Sequence, residues 1–187
     1  REQIMSSEQL ERSAFSWQRF LRVWGTLIGF GLLLILFTAL RPDAFGTLRN
    51  LRNVVEQVAT LAIASAGVTM VMVTGDFDLS VGAVASLVGV IVAKLMVGGM
   101  STGAAILVGL GAGATMGAVN GLIIAYAGVS PFVGTLAAMT SYTGLALFVT
   151  SGTTVFGLAE GFSWFGQGSV GPIPTSVVIM ALVILAV

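Results

Sequence analysis

The sequence predicts an all-α fold, a polytopic transmembrane helix bundle of about five complete spans and a truncated sixth, and three observations carry that prediction. Hydrophobic residues make up 56% of the chain and charged residues only 9%, against roughly 25% charged usage in soluble domains. Mean hydropathy is +1.02. Between Glu56 and Glu160 the only acids and bases are Asp76, Asp78 and Lys94, too little charge to keep the surface of a water-facing domain wet.

Residues 1–22 are polar and carry Arg1, Glu2, Glu8, Glu11, Arg12, Arg19 and Arg22, with Ser6 and Ser7 placed to cap a short helix. They read as a cytoplasmic N-terminal segment, and residues 23–187 as one transmembrane domain. Spans are expected at Val23–Leu40, Val54–Val73, Val81–Val97, Gly103–Ala125 and Pro131–Thr150, with a sixth opening near Ser176. That last apolar run stops at Val187, short of the roughly 20 residues a span needs, and the first residue is Arg1 rather than methionine. The expectation is therefore a fragment, open at its C-terminal end. A cleaved signal peptide is disfavoured, because no small-residue cleavage site separates the first apolar run from the charged segment Arg41–Arg52.

Orientation follows from arginine bias. Arg19 and Arg22 abut the first span and are bracketed by Trp17 and Trp24 as interfacial anchors, whereas the next loop holds Arg41, Arg49 and Arg52. The N-terminus is placed in the cytoplasm, which puts the segment from Ser151 to Pro172 outside. Phe156, Phe162, Trp164 and Phe165 in that segment should lie along the interface or fold back over the bundle.

The chain has no cysteine and no histidine, so disulfides, thiolate metal sites, a cysteine nucleophile and a histidine base are absent from this stretch. The formal net charge is zero and no basic run occurs, so nucleic acid is not an expected partner.

Thr74-Gly75-Asp76-Phe77-Asp78-Leu79-Ser80-Val81-Gly82 interrupts an otherwise apolar stretch. An ionised Asp at the bilayer centre costs about 2.5 to 3.5 kcal/mol, so the pair belongs at a membrane surface or beside a wet cavity. One reading is a tight turn in which Gly75 relaxes the backbone and Asp78 or Ser80 caps the third span. The other gives Asp76, Asp78 and Ser80 a role in contacting or gating substrate. Paired-carboxylate hydrolysis would use the same two acids, but no histidine or metal-ligand cluster accompanies them. Gly109, Gly113, Gly117 and Gly121 recur every four residues and present a strip for close helix packing. Asn120, beside that strip, can bond across helices. Lys94 reads as an interfacial residue whose stem snorkels, and Glu56 as part of a surface charge cluster with Arg49 and Arg52.

Gly75-Asp76-Phe77-Asp78-Leu79-Ser80-Val81-Gly82, then Gly117-Ala118-Val119-Asn120-Gly121, then Pro131-Phe132-Val133-Gly134-Thr135-Leu136 through Gly144-Leu145-Ala146, and finally Thr150-Ser151-Gly152 together resemble the membrane subunits of ATP-binding cassette importers for monosaccharides, the ribose, xylose and arabinose permease group. The resemblance covers residues 20–187 and is to the N-terminal half of such a permease. Gly-Asp-Phe-Asp-Leu-Ser is closer to arabinose-type members than to ribose-type ones. The resemblance implies a homodimer in the bacterial inner membrane, cytoplasmic ATPase subunits that bind the ATP, a periplasmic sugar-binding protein and no cofactor on this chain. The family's ATPase-coupling segment belongs to the other half.

Alternating access driven by those ATPases is the expected mechanism. A monosaccharide path needs groups compatible with hydroxyls, and Asp78, Ser80, Asn120, Thr135, Thr140 and Ser141 are the candidates. An ion-coupled secondary transporter would make Asp76 and Asp78 a cation or proton site. A membrane-embedded enzyme and a purely scaffolding subunit are the remaining alternatives.

Overall fold

The computed structural model describes residues 17–187, with side chains from Phe20 onward. The expected cap at Ser6 and Ser7 and most of the N-terminal segment lie outside the described residues. The chain divides into two compact units, residues 1–53 and 54–187.

The first unit is built on helix α1, Trp17–Leu40. It starts ahead of the expected Val23, so Arg19 and Arg22 lie within the helix. Leu32, Ile35 and Phe37 are among its many exposed apolar side chains, as suits a helix whose solvent is lipid. After it the backbone turns through residues 41–47, where the rings of Phe37 and Phe45 stand 5.6 Å apart. Helix α2, Leu48–Val73, follows, beginning six residues before the expected Val54. The cause is a cap: Thr47 Oγ1 accepts from the Asn50 amide at 3.2 Å, and the Asn50 side chain donates to Phe45 O at 3.0 Å. An N-cap serine or threonine accepting from the third helical amide is the usual way to start a helix, and here it places Arg49 and Arg52 in the opening turns.

In the second unit α2 ends at Val73, and Gly75 turns the chain at a φ of 89°, as the glycine reading anticipates. Helices α3 (Val81–Val97), α4 (Thr102–Ala127) and α5 (Pro131–Thr150) follow, within two residues of the expected spans. Connections this short make neighbours antiparallel. α3 packs against both α4 and α5. At 17 residues it is about 25 Å long, less than the roughly 30 Å of hydrocarbon in a bilayer. The other four of these helices are long and apolar enough to cross a membrane. α3 also holds more buried positions than any other described helix, namely Ala83, Leu87, Val92 and Met96. Its neighbours shield its length, and Lys94 in its last turn is exposed.

α5 closes with Ser151 in the left-handed region at a φ of 52°, and Gly152 N donates to Leu147 O at 2.9 Å, which satisfies an orphan carbonyl. The following segment folds back over the bundle. Ala159 and Phe162 pack on the cluster of Val92, Met96 and Ala105 between α3 and α4. A one-turn helix α6 (Trp164–Gln167) leads into a small antiparallel hairpin, β1 (Ser169–Val170) and β2 (Ile173–Pro174). Its register pairs Ser169 with Pro174 and Val170 with Ile173. The sequence reading did not foresee this hairpin; its turn is permitted by Gly171 at a φ of 61°. Helix α7, Thr175–Ala186, ends the chain. A polytopic α-helical membrane bundle is thus the architecture, with the two-residue strands its only sheet among the described residues.

Candidate functional site

The polar residues singled out in the sequence converge at one end of α3. The turn after Gly75 brings the Asp78 carboxylate back on the chain: its Oδ1 accepts from the Ser80 amide at 2.7 Å and from the Ser80 hydroxyl at 2.6 Å. Asp78 is half-buried and Ser80 is wholly buried, at 0% exposure. The expected cap is thereby divided. Asp78 takes the amide just before α3, while the Ser80 side chain makes no cap bond to the helix amides.

The Ser80 oxygen is used a second time. Asn120 of α4 donates to it from Nδ2 at 2.9 Å, and the Asn120 carbonyl oxygen accepts from the Tyr142 hydroxyl of α5 at 2.9 Å. Tyr142 OH also lies 3.3 Å from Met116 O. Four side chains, Asp78, Ser80, Asn120 and Tyr142, therefore form one continuous polar chain from the turn that caps α3 across α4 to α5. Asn120 is 7% exposed, and a buried amide of this kind is tolerated in an apolar bundle because both its ends are bonded.

Thr135, 2% exposed, sits beside this chain on the first turns of α5. Its hydroxyl donates to Pro131 O at 2.8 Å, and Phe77 O is at the limiting distance of 3.5 Å. Asp76 is exposed on the same turn and is not drawn into the polar chain. Thr140 and Ser141 donate back to Leu136 O and Ala137 O at 3.0 and 2.9 Å, so their hydrogens are spent within α5. Ser141 lines a cavity of about 360 Å³ together with Asn120 and Tyr142.

The glycine strip divides in two. A Cβ on Gly109 would overlap Val92 Cγ2 and stand 3.3 Å from Val88 Cγ1, and one on Gly113 would stand 3.4 Å from Val88 Cγ2. Gly117 and Gly121 face open space. Glycines four apart advance 400° around a helix of 3.6 residues per turn, so the strip drifts by about 40° at each step and leaves the α3 contact after Gly113.

Tyr142 is the member that sequence reasoning missed. A tyrosine in an apolar span was a usable signal, since a buried phenol normally finds a partner, but nothing in the spacing said that the partner was Asn120.

The family described as branched-chain amino acid transport system, permease component, matches residues 50–187. Among curated relatives, the ribose import permease protein of Bacillus subtilis (strain 168) is 37% identical over 97% of this chain and 58% of its own length. The D-allose transport system permease protein of Escherichia coli (strain K12) is 30% identical over 97% of this chain and 56% of its own length. The galactofuranose transporter permease protein of the same strain is 37% identical over 71% of this chain and 39% of its own length. The chain thus spans about half the length of the curated relatives it matches. No solved structure matches it. A family match over most of the chain, on a bundle of apolar helices, establishes that the chain belongs to the permease-component family of ATP-binding cassette importers, alongside relatives named as sugar permeases, and is a multi-pass inner-membrane chain.

Proposed function

We propose that the protein containing this chain is the translocating subunit of an ATP-driven monosaccharide importer, with pentoses, arabinose first among them, as the substrates to try. The observation that carries this reading is the similarity across 97% of the chain to a permease named for ribose. Relatives named for D-allose and galactofuranose support a monosaccharide class more broadly than one sugar. In this reading two copies of the permease enclose the path within the lipid bilayer. Cytoplasmic ATPase subunits bind and hydrolyse ATP, and a periplasmic binding protein delivers the sugar. The permease makes and breaks no covalent bond.

The candidate residues take a gating role. With the N-terminus in the cytoplasm, the turn 74–80 lies at the cytoplasmic end of the bundle and residues 151–172 outside. Asp78, Ser80 and Asn120, joined by Tyr142, would tie the cytoplasmic end of α3 to the inner half of α4 and the middle of α5 as one body, so that alternating access moves them together. Thr135 would brace the same turn, and exposed Asp76 would face the aqueous side of that gate.

The test is uptake. Full-length permease, co-expressed with its ATPase and binding protein, is reconstituted into sealed proteoliposomes without an ion gradient and offered labelled arabinose, xylose, ribose and galactose. Uptake of one sugar that needs both ATP and the binding protein is expected. Uptake driven by an imposed ion gradient alone would replace this reading with a secondary transporter.

A further inference from the structure

The polar chain occupies one end of α3; a different face of the same helix borders a cavity whose largely apolar lining is studded with hydroxyls. Ser86 and Gly89 of α3 meet Thr143 and Thr150 of α5 around an open cavity of about 380 Å³, whose far end is formed by Thr153 and Thr154. That volume lies in the range of small-molecule sites, roughly 300 to 1,000 Å³. Hydroxyl-bearing side chains recur around it, and no charged residue lines it. The cavity bordered by α2 and α7 is a useful contrast. It is lined by Ala66, Met70, Val73, Ile184 and Val187, with Thr69 its only hydroxyl.

Three of the five hydroxyls also share a polarity. Thr143 Oγ1 donates to Met139 O at 2.8 Å, Thr150 Oγ1 to Ala146 O at 2.9 Å and Thr153 Oγ1 to Thr150 O at 2.7 Å. With its hydrogen spent on a carbonyl, each of these three oxygens has only lone pairs left for a ligand. A ligand rich in hydroxyls, which both donates and accepts, matches these three acceptors together with Ser86 and Thr154, whose hydroxyls can donate as well. A cation would need more charge than neutral oxygens supply. The glycine at 89 leaves room for a ring to pass close to the backbone, since a Cβ there would meet nothing within 4 Å. Single neutral hydrogen bonds suit a path rather than a trap, because transport requires binding weak enough to release.

We propose that this hydroxyl-lined cavity between α3 and α5 is a stretch of the sugar path, binding neutral polyols in transit through Ser86, Thr143, Thr150, Thr153 and Thr154. The proposal rests on the importer reading above and adds to it a location separate from the Asp78–Tyr142 chain.

The test places a cysteine at Ser86, as Ser86→Cys, in an otherwise cysteine-free full-length permease reconstituted with its ATPase and binding protein. Thr143→Cys serves if Ser86→Cys does not assemble. A small hydrophilic thiol reagent, methanethiosulfonate ethylammonium, is applied with and without the transported sugar, binding protein and ATP. The expected result is that modification blocks uptake and that turnover with sugar slows modification several-fold. Thr143→Val, which removes one acceptor, should lower maximal uptake about two- to tenfold, the equivalent of one neutral hydrogen bond. Modification that leaves uptake intact, reaction at a rate indifferent to sugar, or reaction only with an apolar maleimide, as at a lipid-facing site, each overturns the proposal while unmodified permease still transports. If the unmodified complex takes up no sugar with ATP, the importer reading fails and this proposal falls with it.

Discussion

Asn120 Nδ2 donates to Ser80 Oγ at 2.9 Å across 40 positions of sequence, and the same amide accepts from Tyr142 through its oxygen. One side chain on α4 thereby binds α3 on one side and α5 on the other. Interhelical hydrogen bonds in membranes average only about 0.6 kcal/mol and reach about 1.7, so removing both should cost about 1 to 3 kcal/mol. Asn120→Leu is expected to lower the melting temperature of the purified full-length protein in detergent. Asn120→Asp should lower it further, because it loses the donor to Ser80 and adds a buried charge at the Asp78 end of the chain. A melting temperature unchanged in both variants would show that the amide is not a structural tie.

Ser80 and Tyr142 share no bond, yet both bond Asn120. A double-mutant cycle between Ser80→Ala and Tyr142→Phe should therefore give a coupling of at least about 0.5 kcal/mol, carried entirely by the amide between them. Repeated in the Asn120→Leu background, the coupling should vanish. Coupling that survives there would mean the two positions communicate through backbone packing instead.

Asp78 separates charge from geometry. Asp78→Asn retains an oxygen that can accept from the Ser80 amide and hydroxyl, now at 2.7 and 2.6 Å, and forfeits only the extra strength of charge-assisted bonds, up to about 1.5 kcal/mol. Asp78→Ala loses the acceptor altogether and should destabilise more. The uptake assay then distinguishes roles: full transport by Asp78→Asn assigns the residue to holding the turn, and lost transport in a stably folded Asp78→Asn protein assigns the negative charge to gating.

Much of this was legible in the sequence because hydropathy reads the solvent directly. The limits of α3 and α5 coincide with the apolar runs at Val81–Val97 and Pro131–Thr150, since Gly-Asp and Ser-Pro sequences punctuate them. α1 and α2 begin ahead of the expected spans because hydropathy marks where lipid begins and a helix can start before it; Thr47 and Asn50 start α2 in a polar stretch. The polar residues at Asp78, Ser80 and Asn120 were visible as anomalies in apolar surroundings, but their connection was not. Pairing positions 40 and 22 apart requires knowing which helix faces pack, and neither α4 nor α5 has an apolar stripe to say so, being apolar all round. The hairpin at 169–174 was hidden for a simpler reason: two-residue strands carry no alternation to detect.

The glycines of α4 make the sharpest packing prediction, because the strip is uniform in sequence and uneven in contact. At Gly109 a Cβ has no room: Val92 is buried and β-branched, so its χ1 cannot readily turn aside. Gly109→Ala should destabilise by about 1 to 3 kcal/mol, the usual cost of overpacking. At Gly117 a Cβ meets nothing within 4 Å, and alanine is the better helix former by up to about 1 kcal/mol. Gly117→Ala should therefore be neutral or stabilising within this bundle. Thermal melts of the two full-length variants in detergent make the comparison with one probe and one chemistry, a single methyl. If Gly117→Ala proves as costly as Gly109→Ala, the open half of the strip is covered in the complete protein by another helix, and small residues continue there because a close contact continues with them.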